Sequence, residues 1–142
     1  MNEIKSVPGE GRRTDMNEKE LYRIANDVKK NAYAPYSGFQ VGAALLTRSG
    51  KVYTGVNVEN ASFGATLCAE RGAVAKAVSE GERKFRALAI ASSVGEAMPC
   101  GICRQVLMEF EPDLRVITGK DEEHLESYPL SELLPGAFSL QK

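Results

Sequence analysis

Residues 85–118 read FRALAIASSVGEAMPCGICRQVLMEFEPDLRVIT, and this stretch decides the fold. Its opening, residues 85–93, is an apolar run of strand length. Pro99 then precedes a helical pattern over residues 101–110, Pro112 ends it, and residues 114–118 form a second apolar run. Strand, helix and strand in that order predict a crossover unit, which joins parallel strands. Working upstream, residues 67–80 carry Ala69, Ala73, Val74 and Ala77 at helical spacing, with Gly81 where a C-terminal cap belongs. Residues 39–47 and 51–58 are apolar runs separated by Ser49-Gly50, which predicts an antiparallel hairpin. Residues 17–34 place Leu21, Ile24, Ala25, Val28 and Ala32 on one helical face, and Pro35 and Gly38 stop the helix. Downstream, residues 128–134 suggest a short helix, and no element is evident over residues 121–127.

The second, third and fourth strands are joined by helices, so parallel pairing is expected throughout that half of the sheet. Residues 39–46 and 86–91 are apolar on both alternating faces, as in a sheet covered on both sides. The expectation is a single three-layer α/β domain with a mixed sheet over residues 16–142. Residues 1–15, polar and broken by Pro8, Gly9 and Gly11, read as a flexible N-terminal tail.

Composition narrows the partners. The chain has 142 residues, of which 43% are hydrophobic, and its 18 basic and 19 acidic side chains leave a net charge of -1. That balance offers no basic footprint for nucleic acid or an anionic membrane. The apolar runs are too short to span a bilayer, and the first residues lack the apolar core of an export signal. Three cysteines cannot close a disulfide framework, so free thiols in a reducing cytoplasm are expected.

Those cysteines sit at helix starts: Cys68 opens the second helix, and Cys100 and Cys103 open the third. Because each helix follows a strand, both N-termini should face one edge of the sheet, where the dipole lowers thiol pKa. Three thiolates meeting at a point describe a zinc site with three protein ligands and an open position for water. Cys100-Gly101-Ile102-Cys103 alone also occurs as a redox dithiol or as half of a structural zinc site. Glu70 discriminates, since a carboxylate two residues from a ligand can reach a water at the open position without binding the metal.

Cys68-Ala69-Glu70 with Pro99-Cys100-Gly101-Ile102-Cys103 resembles the zinc-dependent nucleobase deaminase signature in its three-cysteine form. The likeness extends through Tyr33-Ala34-Pro35-Tyr36-Ser37-Gly38-Phe39-Gln40-Val41-Gly42-Ala43-Ala44 and Asn57-Val58-Glu59-Asn60. It continues in Cys103-Arg104-Gln105-Val106 and Leu133-Leu134-Pro135-Gly136-Ala137-Phe138. Together these motifs are similar to the small, tetrameric cytidine deaminases.

The resemblance implies a three-layer α/β/α sandwich around a mixed five-stranded sheet. It implies one Zn2+ per chain on Cys68, Cys100 and Cys103. The activity implied is hydrolytic deamination of cytidine and deoxycytidine, with release of ammonia, in pyrimidine salvage. Glu70 would take the water proton, deliver it to ring N3 and later pass one to the departing amine. Arg71 would hydrogen-bond the ligand sulfurs, with Gln105 a weaker candidate behind them. Phe39 would stack on the pyrimidine, the Ala69 backbone would meet the base edge, and Asn57 and Glu59 would hold the ribose. Phe138 would enter a neighbouring subunit's active site within a homotetramer.

Four alternatives stand beside this reading. An aminohydrolase for blasticidin S shares the zinc motif, although Phe39 and the Phe138 ending favour cytidine. An RNA- or DNA-editing deaminase needs a basic surface. A non-catalytic structural zinc would use His124 as fourth ligand, and a thioredoxin-like domain would form a Cys100–Cys103 disulfide. Cys68, where related deaminases often carry histidine, Met98 and Phe63-Gly64-Ala65 depart from the usual pattern and bear on fine substrate preference.

Overall fold

Burial on both faces separates interior strands from edge strands. In the computed structural model, which describes Ile4 and residues 16–141, all seven residues of β1 (Val41–Thr47) are buried. The neighbouring β2 (Val52–Val56) is half-exposed throughout, as an edge strand must be. The order along the sheet is β2, β1, β3 (Phe85–Ser92), β4 (Arg115–Gly119) and β5 (Leu125–Pro129). The predicted hairpin forms with Leu46 opposite Val52 and Gly42 opposite Val56, and Gly50 turns it at a φ of 93°. That left-handed conformation costs glycine little.

Among the five strands, parallel pairing holds only between β3 and β4. The expectation that it extends to β2 is corrected, because β1 inserts between β2 and β3 and pairs antiparallel with both. A second correction falls at the C-terminal side, where residues 125–129 form β5, antiparallel to β4. Tyr128 is therefore a strand residue, and the following helix α4 is confined to Leu130–Leu133.

Helix α1 (Glu18–Val28) is capped by Asn17, whose Oδ1 accepts from the Glu20 amide at 2.8 Å. It packs Leu21, Tyr22 and Ala25 onto Ala44, Leu46, Ala87, Ala89 and Ala91. Small side chains on this face let α1 lie close to the sheet. On the other face α2 (Ala69–Ser79) and α3 (Gly101–Phe110) cover Leu45, Leu88, Ile90 and Val116. This is the expected three-layer α/β/α arrangement around a mixed five-stranded sheet. The tail reading falls on residues 1–3 and 5–15, which lie outside the described residues. Ile4 itself is buried, with its carbonyl 2.6 Å from Arg86 Nη2. Among the described residues, no helix is long and apolar enough to cross a membrane.

The seat of α2 depends on Gly55. A Cβ there would stand 2.2 Å from the Ala69 carbonyl oxygen and 2.5 Å from the Ala73 amide nitrogen. Gly55→Ala must therefore push the first turn of α2 off the sheet. We expect a loss of about 1–3 kcal/mol in thermal unfolding, the usual range for overpacking. We also expect less zinc per chain after gel filtration, because that turn follows Cys68.

Candidate active site

Strands β2 and β3 both run antiparallel to β1, so they point the same way and the helices that follow start at one edge of the sheet. Cys68 is the N-cap of α2, Cys100 is the N-cap of α3, and Cys103 lies in the first turn of α3. All three are free thiols. Their Sγ atoms lie within 4.8 Å of one another, with Cys68 and Cys100 at 3.7 Å. Tetrahedral zinc with bonds of about 2.3 Å places its sulfurs about 3.8 Å apart, so the Cys68–Cys100 spacing and the donor type both fit that ion. Cys100 is exposed and Cys103 buried, so the cluster opens on one side.

The thiols influence one another. Hydrogen bonding from Cys103, helped by Arg71, pulls Cys68 down to about 5. The same pairing, together with burial, pushes Cys103 up. Arg71 Nη2 lies 3.5 Å from Cys68 Sγ and 3.3 Å from the Thr66 carbonyl, so this guanidinium does reach a ligand sulfur. Glu70, in the first turn of α2, is 5% exposed. Burial raises its carboxyl to about 7, and the negative charge of Cys68 adds to the shift.

A cavity of about 440 Å³ runs from Cys68, Cys100 and Glu70 past Ala69 and Phe39 to Asn57 and Glu59, within the usual size range for a small-molecule site. Phe39 is half-buried against the core and lines the wall. The buried Asn57 clamps the entry to β1, its Oδ1 accepting from the Val41 amide at 2.9 Å and its Nδ2 donating to the Phe39 carbonyl at 2.8 Å. Glu59 Oε1 accepts from the amides of Tyr36 and Ser37 at 2.9 and 3.1 Å, and Oε2 accepts from the Ser37 hydroxyl. That hydroxyl holds the Glu59 carboxyl below its ordinary range. Ser37 and Met98 also line the cavity, although their residue types alone carried no such signal.

Two candidates stand elsewhere. Phe138 is 69% exposed and does not line its own chain's cavity. The Gln105 amide donates to the Phe138 carbonyl at 2.9 Å, which holds the C-terminal segment on α3. His124 is exposed, with Nδ1 2.7 Å from Asp121 Oδ1. Among the described residues, no histidine or carboxylate joins the three sulfurs, so the four-ligand structural zinc with His124 has no support here.

Residues 15–120 match the cytidine and deoxycytidylate deaminase zinc-binding region. A cytidine deaminase of Halalkalibacterium halodurans is 46% identical over 128 residues, covering 89% of this chain and 97% of that protein. The crystal structure of a cytidine deaminase from Burkholderia pseudomallei superposes with a TM-score of 0.82 at 43% identity, covering 87% of this chain and 100% of that one. A blasticidin-S deaminase of Bacillus cereus is more distant, 29% identical over 125 residues that cover 82% of this chain and 88% of that protein.

Proposed function

The chain belongs to the cytidine and deoxycytidylate deaminase family, and from that premise we propose that it is a zinc-dependent cytidine deaminase of free nucleosides. It converts cytidine and deoxycytidine to uridine and deoxyuridine. Water adds at C4 of the ring, the C4–N bond breaks, and the amine leaves as ammonia. The observation that carries this reading is a cluster of three cysteine sulfurs, two of which, Cys68 and Cys100, line one cavity together with buried Glu70.

Cys68, Cys100 and Cys103 hold the ion. Zinc bound there would lower the pKa of a water toward about 7 and so supply the nucleophile. Buried Glu70, whose carboxyl burial raises to about 7 in the metal-free chain, is the group placed to accept and release protons. It takes the proton of the attacking water, places it on ring N3 and later delivers one to the leaving amine. Arg71 draws electron density from the sulfur of Cys68, which offsets the negative charge of three thiolates. Phe39 stacks on the pyrimidine and the Ala69 backbone meets its edge. Asn57 and Glu59 serve the sugar, where a nucleoside hydroxyl replaces that of Ser37 on Glu59 Oε2. The role of Asn57 is partly indirect, because its amide already fixes the backbone of Phe39.

Phe138, exposed on its own chain, completes the cavity of a neighbouring subunit in a homotetramer. Residues 16–142 form the catalytic domain. The free thiols suit the cytoplasm, and the near-zero net charge suits a small nucleoside rather than a polynucleotide. Ammonia release from the zinc-loaded protein, measured with cytidine and with blasticidin S, tests the assignment. Turnover of cytidine is expected, and inactivity on cytidine with zinc present would overturn the proposal.

A further inference from the structure

Arg104 stands in the first turn of α3, directly after the buried Cys103. A cation at that end of a helix opposes the dipole, so helix stability does not account for it. Its half-buried guanidinium forks instead. Nε donates to the carbonyl of Pro99 at 2.7 Å, and Nη1 donates to the carbonyl of Leu133 at 2.7 Å. Pro99 immediately precedes Cys100, and Leu133 is the last residue of α4. The adjacent Gln105 holds the carbonyl of Phe138. Two neighbouring side chains thus fasten residues 133–138 to the helix whose start carries two of the three sulfurs. An arginine fork spans two fixed acceptors in a way that a lysine ammonium does not.

We propose that Arg104 is a positioning residue that couples the Pro99–Cys100 loop to the C-terminal segment. Phe138 is then presented outward in the correct place only while that loop holds its metal-ligating conformation. The inference rests on the reading of Phe138 as part of a neighbour's cavity. It predicts that loosening Arg104 disturbs zinc retention and nucleoside affinity together, whereas truncating Phe138 disturbs affinity alone.

A double-mutant cycle on the zinc-loaded protein tests this, with Arg104→Met, Phe138→Ala and the combination. The readouts are KM for cytidine and the rate at which a chelating dye withdraws zinc. Phe138→Ala should raise KM about tenfold, an effect on binding rather than chemistry, and release zinc at the wild-type rate. Arg104→Met should raise KM similarly and speed zinc withdrawal about tenfold, as loss of a group supporting metal ligands does. The combined variant should show the KM of Arg104→Met, because the ring is already misplaced. Arg104→Lys keeps the charge but cannot serve both carbonyls, so it carries the cycle should the methionine variant not fold. Multiplying KM effects, or unchanged zinc withdrawal in both Arg104 variants, would overturn the coupling while leaving the neighbour reading intact. An unchanged KM in Phe138→Ala would sink that reading, and the coupling with it.

Discussion

Glu70→Gln is expected to keep one zinc per chain and to lose about 10²–10⁴-fold in kcat, the usual contribution of a positioned acid–base group. Glutamine has nearly the same shape and still fills the buried first turn of α2, so the three sulfurs should keep their places. It cannot carry a proton from water to the ring or to the leaving amine. Metal analysis beside an ammonia assay separates these effects, and activity near the wild-type level would remove Glu70 from the mechanism. The stability of the zinc-stripped, reduced protein should move the other way. Burial raises the Glu70 carboxyl to about 7 in the folded chain, against about 4.3 when unfolded. The fold therefore favours the protonated group. Its contribution is fully present below about 4.3 and is lost as pH rises through 7. Glutamine mimics the neutral form at every pH, so urea unfolding should show the variant stabilised by up to about 3 kcal/mol at pH 8. That gain should shrink steadily toward pH 5. An equal gain at both pH values would show that the carboxylate is not held at a cost.

Helix α3 was legible in the sequence because punctuation marks both of its ends. Pro99 and Cys100 stand at the start and Pro112 stands beyond the stop, and the bounds Gly101–Phe110 coincide with the pattern. The cluster of three cysteines was legible for the same reason, since each lies at a helix start that two strands of common direction bring together. The sheet order was not. Chain order suggests that strands joined by helices are neighbours, but β1 is covered on both faces and inserts between β2 and β3. The contrast between uncharged residues 41–47 and the more polar surroundings of β2 carried a signal for that, which topology rules alone do not use. Strand β5 lacked any pattern because Leu125–Pro129 is a half-exposed edge, made a strand by pairing with β4 rather than by its own residues. Asn57 and Glu59 were visible as a polar pair near a strand end. What hid their present partners is that those partners are backbone amides and carbonyls of residues 36–41, which no residue type reports. Arg104 was hidden similarly, as an ordinary helical arginine whose two acceptors are main-chain carbonyls distant in sequence.

Cys103→Ala is expected to bring zinc below about a tenth of an ion per chain and ammonia release below detection, because a three-ligand site has no spare donor. Two effects act together. The first is geometric: the remaining Cys68 and Cys100 sulfurs, 3.7 Å apart, span only one edge of the tetrahedron, and Cys103 is the buried corner that encloses it. The second is electrostatic. Three thiolates around a dication leave one negative charge, which Arg71 at 3.5 Å from Cys68 Sγ neutralises. With one thiolate removed, the same arginine faces a neutral cluster and repels the ion it had helped to balance. The fold should survive, since replacing one buried sulfur with hydrogen leaves a small cavity and costs about 1–2 kcal/mol. Circular dichroism of metal-stripped wild type and variant should therefore nearly coincide, with thermal unfolding shifted by only a few degrees, while their zinc contents after reloading differ completely. A redox dithiol predicts the opposite pattern. There, Cys103→Ala would abolish a Cys100–Cys103 disulfide and leave metal content at whatever the wild type shows. Zinc retained at the wild-type level in Cys103→Ala would mean that the three sulfurs are not the site.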